Sequence, residues 1–219
     1  GRTALIIAVE NSHTEIVKVL LKYPGINVNL QDDEGDTALT IAANKGHLAI
    51  VKELVKRPGI DFNLQNKDGD TALTFAANQG HLAIVKELVK RPGIDFNLQD
   101  EDGDTALIYA AIFGHLAIVK ELLKHEGINV NKQDTGGSTA LMLAANKGHL
   151  AIVKELLKYE INVNLQGNSG STALIIAVDN GHTEIVKALI DYPRIDFNLQ
   201  DRCKMTALKY AEMLSLIHI

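Results

Sequence analysis

The chain has 219 residues, 46% of them hydrophobic and 22% charged, which is typical of a folded protein and argues against disorder. Its formal charge is −5, from 22 Lys and Arg against 27 Asp and Glu residues, and it has no basic tract, so nucleic acid is an unfavourable partner. No apolar run approaches the roughly 18 residues of a membrane span, and no signal-peptide pattern is present. With only one cysteine, Cys203, the sequence excludes an intramolecular disulfide and predicts a cytoplasmic location without membrane association.

One sequence unit is repeated along the whole chain. Aligning the copies on Thr-Ala-Leu gives steps of 34, 34, 34, 34, 33 and 34 residues, with repeats that start near residues 1, 35, 69, 103, 137, 170 and 204. Residues 38–65 and 72–99 differ at two positions, which indicates duplication of one unit. We predict a single repeat domain over residues 1–219 with incomplete first and last copies, and we expect it to be a piece of a longer chain.

Each copy is predicted to contain two short helices, described here for the second copy. Thr37 is a good N-cap because its hydroxyl can accept from the free amides of the first turn, so a first helix is predicted over 38–45. Gly46 ends it, since glycine tolerates the left-handed conformation, and a second helix over 47–57 is stopped by the Pro-Gly pair at 58–59. Helices of about nine residues, roughly 13 Å long, need neighbouring repeats to stabilise them.

The segment after the second helix is predicted to be extended. Ile60, Phe62 and Leu64 alternate with polar residues, and the segment ends in Asp-Gly, which indicates strand and turn structure. A 34-residue period is also that of tetratricopeptide repeats, but their two longer helices, about 30 residues in all, leave no room for such a segment.

The repeated pattern GDTALxxAAxxGHLAIVKELxK, followed by NVNxxDxxG, resembles the ankyrin repeat over essentially all 219 residues. The resemblance implies an all-α solenoid in which each unit has two antiparallel helices and a β-hairpin loop, and which binds other proteins along its concave side. One departure is regular, because the Thr-Pro-Leu-His of the family is here Thr-Ala-Leu followed by another residue type. We expect the missing proline and histidine network to affect stability slightly and not the fold.

Two residue types with ligand-forming side chains recur once per copy, and both are interpreted as structural. Histidine begins each second helix, with no cysteine or second histidine beside it to complete a metal site. Asparagine ends each extended segment, where its amide can bond the backbone of the adjacent copy and form a ladder. A catalytic site should break the repeat pattern, and no Ser-His-Asp set, phosphate-binding glycine loop or isolated carboxylate pair does so, so we predict no enzyme activity, no cofactor and no metal. The residues are His13, His47, His81, His115, His149 and His182, and Asn29, Asn63, Asn97, Asn131, Asn164 and Asn198.

The loop tips differ in charge between copies. This variation favours a protein partner with a basic patch or merely keeps the loops soluble, and the sequence leaves both open. The Lys-Glu pairs of the second helices, such as Lys52 and Glu53, recur as VKEL in four copies and are interpreted as a solvated outer face. The tips at 32–36, 66–70, 100–104, 134–138, 167–171 and 201–205 have formal charges of −4, −1, −4, −1, 0 and +1.

The fourth copy departs from its siblings at the end of its first helix. Where the others place polar residues between the paired small residues and Gly-His, this copy has Ile112 and Phe113. At about 100° per residue from Leu107, Ala110 and Ala111 fall on the packed face, whereas Ile112 and Phe113 lie at about 140° and 240°, away from it. Three interpretations stay open: local packing against neighbouring copies, a hot spot for a partner, and self-association.

We predict a non-enzymatic, monomeric scaffold that binds a protein partner through the loop tips and the concave first-helix surface. Two alternatives stay open. One is a targeting or regulatory ankyrin arm of a larger multidomain enzyme, or of a secreted effector of an intracellular microbe that acts in the host cytosol. The other is a self-assembly module. The predicted partner-binding residues are Ile112, Phe113, Tyr109, Asn78, Gln79, Met142, Asn146, Lys147, Glu101, Asp102 and Asp104.

Overall fold

A computed structural model describes the backbone of residues 1–216 and the side chains of residues 1–214. These residues form thirteen α-helices in two compact units, Gly1–Glu101 and Asp102–Ile219. The end of the last predicted repeat, residues 217–219, lies outside the described residues. The first unit contains α1 (Ala4–Glu10), α2 (Thr14–Leu21), α3 (Ala38–Asn44), α4 (Leu48–Leu54), α5 (Ala72–Asn78) and α6 (Leu82–Leu88). The second unit contains α7 (Ala106–Ile112), α8 (Leu116–Leu122), α9 (Ala140–Asn146), α10 (Leu150–Leu156), α11 (Ala173–Asp179), α12 (Thr183–Ile190) and α13 (Ala207–Leu216).

Within each unit the helices stack in two rows. The first helices of successive repeats pack on one another, as α1, α3 and α5 and as α7, α9, α11 and α13. The second helices form the other row, as α2, α4 and α6 and as α8, α10 and α12. Most of these helices have seven residues, about 10 Å, so stacking and not intrinsic propensity must stabilise them.

The first helix of the second copy begins at the predicted residue and ends one residue earlier than predicted. The hydroxyl of Thr37 accepts from the backbone N–H of Thr40 at 3.1 Å, and the Thr40 hydroxyl accepts from the Thr37 N–H at 2.8 Å, which completes a capping box. The helix ends at Asn44, and Gly46 follows with φ of 75°. The predicted N-cap and the terminating glycine are both confirmed.

The second helix is three residues shorter at its C-terminus than predicted. It ends at Leu54, and the chain then turns, with the Arg57 N–H donating to the Leu54 carbonyl at 2.9 Å. Proline is not required for this end, because α8 and α10 end at the same slot, at Leu122 and Leu156, in copies without a proline there. The same turn closes them, with the His125 N–H donating to the Leu122 carbonyl at 3.1 Å.

The core of each repeat is formed by paired small residues on the first helix and aliphatic residues on the second. Ala110 and Ala111 are fully buried and Leu107 nearly so, which confirms the packed face predicted from the helical angles. On the second helix, Ile118, Val119 and Leu122 have almost no exposed surface. The small alanines allow the first helices to approach closely.

The extended segment is not a strand, contrary to the prediction for residues 60–64. Among the described residues, β-pairing is limited to one isolated antiparallel bridge between Gln133 and Thr139. The tips are tight turns, closed for example by the Asp32 N–H donating to the Asp36 carbonyl at 2.9 Å. The backbone polar groups of this segment are bonded instead by asparagine and glutamine side chains of adjacent copies.

Candidate protein-binding surface

The predicted asparagine ladder is confirmed. Asn63 donates from Nδ2 to the Gly93 carbonyl at 2.7 Å, and its Oδ1 accepts from the Asp95 N–H at 2.9 Å. Asn29 and Asn164 make the same pair of bonds to the copies that follow them. Each amide thereby satisfies one donor and one acceptor of a segment that lacks regular secondary structure.

A second ladder of glutamines was not predicted from the sequence. Gln65 Nε2 donates to the Gly69 carbonyl of its own tip at 2.6 Å and to the Gln99 carbonyl of the next copy at 2.8 Å. Gln31 and Gln166 repeat this arrangement. The sequence does contain a sign of this ladder, because a glutamine recurs two residues after each ladder asparagine.

The tips themselves are joined by one backbone bond per neighbouring pair. The Lys67 N–H donates to the Glu34 carbonyl at 2.9 Å, and in the second unit the Thr135 N–H donates to the Asp102 carbonyl at 2.8 Å. The acidic side chains are therefore carried on an ordered backbone within each unit, which reduces the entropic cost of binding a partner.

The repeated histidines join successive copies. His149 Nε2 lies 3.1 Å from the Ile112 carbonyl, and His81 Nε2 lies 3.2 Å from the Asn44 carbonyl. The His81 ring also covers Gly46, where a Cβ would come within 2.7 Å of the ring. These contacts support the structural interpretation of the series, and no group of three or more His, Cys, Asp or Glu suited to a metal occurs in the described part of the chain.

An aromatic patch, defined as Tyr109, Phe113 and His115, marks the departure in the fourth repeat. Phe113 caps the C-terminus of α7 and is 52% exposed, while Ile112 and Tyr109 are half-buried. The Phe113 ring stacks on Tyr109 with centroids 6.4 Å apart and on His115 at 6.2 Å. Within the patch, Phe113 alone replaces amides and ammonium groups of the sibling copies, because the equivalents of Tyr109 are apolar and those of His115 are histidines.

Five other predicted residues of the second unit differ in their exposure to solvent. Asn146 and Lys147 are exposed at the end of α9, and Asp102 is exposed and Asp104 half-buried in the tip that precedes α7. Met142 is 2% exposed, so we correct its assignment: it packs inside the stack and presents no surface to a partner.

The remaining three predicted residues belong to the first unit. Gln79 and Glu101 are exposed there, and Asn78 is half-buried at the end of α5.

Buried carboxyl groups lie at the base of the acidic tips. Burial raises the pKa of Asp70, which is 8% exposed, to about 6. A hydrogen bond from the Thr74 hydroxyl at 2.8 Å opposes this shift, whereas the charges of Asp100, Asp68 and Asp36 add to it. Burial likewise raises the pKa of Asp36. The negative charges of the tips are therefore close enough to repel one another, and a cationic partner would relieve that repulsion.

The geometry defines a stacked helical repeat protein whose loop tips and first helices carry the variable side chains. The family model for ankyrin repeats (3 copies) matches residues 1–66, 58–134 and 126–201, and the chain belongs to the ankyrin-repeat family. Members of this family are in general protein–protein interaction modules, typically without enzymatic activity. No curated protein sequence matches the chain significantly.

Three solved structures illustrate the likeness. EF0377, an ankyrin repeat protein, is 36% identical over 86% of this chain and 97% of its own, with a TM-score of 0.82. The ankyrin repeat domain of Bcl-3, a member of the IkappaB protein family, is 26% identical over 98% and 99%, with a TM-score of 0.85. The human ASB11 ankyrin repeat domain is 25% identical over 100% and 98%, with a TM-score of 0.80.

None of the helices within residues 1–216 is both long enough and apolar enough to cross a bilayer.

Proposed function

We propose that the chain is a monomeric scaffold that binds a basic region of a protein partner, with Phe113 as the central contact of the fourth repeat. The observation that carries the proposal is a half-exposed phenylalanine, stacked and held in place, at a position that is polar in every other complete copy. Aromatic side chains supply large apolar area at little entropic cost and are enriched among binding hot spots.

The acidic tip of the same repeat supports a basic partner. Asp102 and Asp104 precede α7, and Phe113 caps its far end, so the two features are separated by a seven-residue helix of about 10 Å. An extended partner segment covers that distance with about three residues. We therefore expect a partner segment with an apolar side chain over Phe113 and a basic side chain about three residues away.

The exposed Cys203 thiol fits a reducing compartment, so the proposal places this interaction in the cytoplasm.

The test uses peptides selected from a displayed library for binding to the unaltered chain. Their affinity is then measured for the double variant Ile112→Asn/Phe113→Lys, which copies the sibling repeats. If Phe113 is buried by the bound peptide, its loss removes roughly 1.5–3 kcal/mol, which is a 10- to 150-fold weaker affinity.

A matched control is available in Phe197→Lys, because Phe197 is a phenylalanine of similar exposure, 49%, outside the first helices. We expect the control to change affinity less than threefold, and the double variant to unfold at the same or a higher temperature than the unaltered chain. Unchanged affinity in the double variant would reject the proposal. A loss of about 2 kcal/mol or more in its free energy of unfolding would instead support the packing interpretation.

A further inference from the structure

The second helices of the first unit carry an excess of positive charge that those of the second unit lack. We count the charges of each second helix together with its following turn. Residues 14–25 contain two cations and one anion, and residues 48–59 and 82–93 each contain three cations and one anion. Together these three segments, which we call the basic face, have a formal charge of +5. The equivalent segments 116–127, 150–160 and 183–194 each contain two cations and two anions. The VKEL core is the same in four copies, and the difference arises from the residues around it.

Ion pairing sharpens this contrast. In the second unit, Lys120, Lys124, Lys158 and Lys187 each pair with a glutamate, and Lys154 is the one second-helix lysine of the described residues there that does not. On the basic face, Lys18, Lys56 and Arg91 are paired. Lys22, Lys52, Lys86 and Lys90 make no ion pair within Gly1–Glu101. The basic face therefore keeps four ammonium groups available to an external anion.

Two grooves of the basic face contain Lys22 and Lys52 beside cations that are already paired. A groove of about 310 Å³ is lined by Lys18, Lys52 and Lys56 with Glu53 and Glu87, and Ala49 lies among its lining residues. A second groove, of about 420 Å³, is lined by cations in excess over two glutamates: Lys18, Lys22, Lys56 and Arg57, with Glu15 and Glu53. Cations on either side of a groove attract a protruding anionic group more strongly than isolated surface lysines do.

Arg57 provides an independent sign of an unmet interaction. Its duplicate in the next copy, Arg91, donates from Nε to the Glu87 carbonyl and pairs with the Glu87 carboxylate. Glu53, the equivalent of Glu87, is instead bonded to Lys56, and the buried Nε of Arg57 has no hydrogen-bond partner. A buried donor without an acceptor is unfavourable, and a carboxylate is the acceptor that matches a guanidinium best.

We propose that the basic face binds an acidic protein segment, rich in Asp and Glu, that lies across α2, α4 and α6. Carboxylate side chains can enter the grooves singly and avoid Glu53 and Glu87. The net charge of the chain, −5, disfavours a long polyanion or an anionic membrane, whereas a short acidic segment meets only the local +5 of the basic face. Three neighbouring helices at about 10 Å spacing span about 20 Å, which an extended segment of six to eight residues covers.

The test measures binding of a fluorescent octaglutamate peptide to the 219-residue chain by anisotropy at low salt. The variant Lys52→Gln/Lys86→Gln removes two unpaired ammonium groups of the basic face. The matched control Lys120→Gln/Lys154→Gln changes the same two slots of the VKEL motif in the second unit. We expect about tenfold weaker binding in the first variant and less than a twofold change in the control. Binding of the unaltered chain should also weaken as salt is raised.

A third variant, Arg57→His, copies the residue at the equivalent position 125, and it should also weaken octaglutamate binding. Equal losses in the test and control pairs, or no measurable octaglutamate binding, would overturn the proposal. Tighter binding of an eight-nucleotide DNA or of vesicles containing anionic lipid than of octaglutamate would overturn the assignment to an acidic protein. The lysine variants should retain the thermal stability of the unaltered chain, because the substituted side chains are exposed. Arg57→His should not lower it, because the buried Nε that it removes has no partner.

Discussion

Replacing Asp70 by asparagine should stabilise the fold at neutral pH and leave it unchanged in acid. The pKa of this buried carboxyl is about 6 in the folded chain, against an ordinary value of 3.8. The folded state therefore binds the proton more tightly than the unfolded state, so stability falls as pH rises from about 4 through 6 and stays lower above that. A difference of about two pKa units corresponds to at most about 3 kcal/mol at pH 8. Asparagine keeps an oxygen for the Thr74 hydroxyl and cannot ionise.

Urea unfolding at pH 4, 6 and 8 measures this effect as the difference in free energy between the Asp70→Asn variant and the unaltered chain. We expect a gain of about 1–3 kcal/mol at pH 8 and close to none at pH 4. Asp68→Asn removes an exposed charge from the same tip and should change stability by a few tenths of a kcal/mol at either pH. The reasoning is refuted if the gain does not depend on pH, or if Asp70→Asn destabilises the chain at pH 8.

Two further substitutions test the contacts between copies, both by urea unfolding. Asn63→Ala removes the bonds to the Gly93 carbonyl and the Asp95 N–H, and we expect a loss of about 1–3 kcal/mol; an unchanged midpoint would mean that water replaces the ladder without cost. Gly69→Ala should cost more than about 2 kcal/mol, because φ is 83° and a Cβ would lie 2.6 Å from the Asp100 Cα, whereas Gly59→Ala, with a similar φ and open space, should cost only about 1 kcal/mol.

The helices could be predicted from local signals because each signal acts within a few residues. Thr37 caps the helix that immediately follows it, and Gly46 takes up the left-handed conformation required directly after it. The end of the second helix was predicted three residues too late, since a Pro-Gly pair marks where a helix must already have stopped and not where its last turn lies. The N-cap threonines and the terminating glycines were therefore sufficient to locate the first helices.

The extended segment failed as a prediction because its partners are not local. Alternation of Ile60, Phe62 and Leu64 satisfies the pattern of a half-buried strand, but no neighbouring strand is available to it. The backbone is bonded by asparagine and glutamine side chains from the copies before and after. A strand requires a second strand to bond its backbone. The sequence of one copy cannot show that side chains of the adjacent copies form those bonds instead.

The prediction of Met142 as a partner-binding residue was wrong, although the alignment of the copies indicates that it is buried. It occupies the same slot as Ile108, three residues after the N-cap threonine, and both side chains are buried. The residue at this slot is buried in each of the first six copies, because the packing around it is the same. The contact residues of a repeat protein must therefore be sought at slots where several copies are exposed, and Phe113 meets this condition because its equivalents Lys45, Gln79 and Lys147 are exposed.

The basic face was not predicted from the sequence, although it too lies at exposed slots. The invariant VKEL motif suggested a uniform solvated face, yet the charge of a surface depends on every exposed slot. The residue after the second lysine is Arg57 or Arg91 in two copies of the first unit but His125 or Tyr159 in the second, and the acidic neighbours Glu126 and Glu160 follow only there. These changes cost little stability, because the side chains lie outside the packed rows of helices. A repeat scaffold can therefore carry two surfaces of opposite charge, acidic at its tips and basic on its second helices, without altering the contacts that determine its fold.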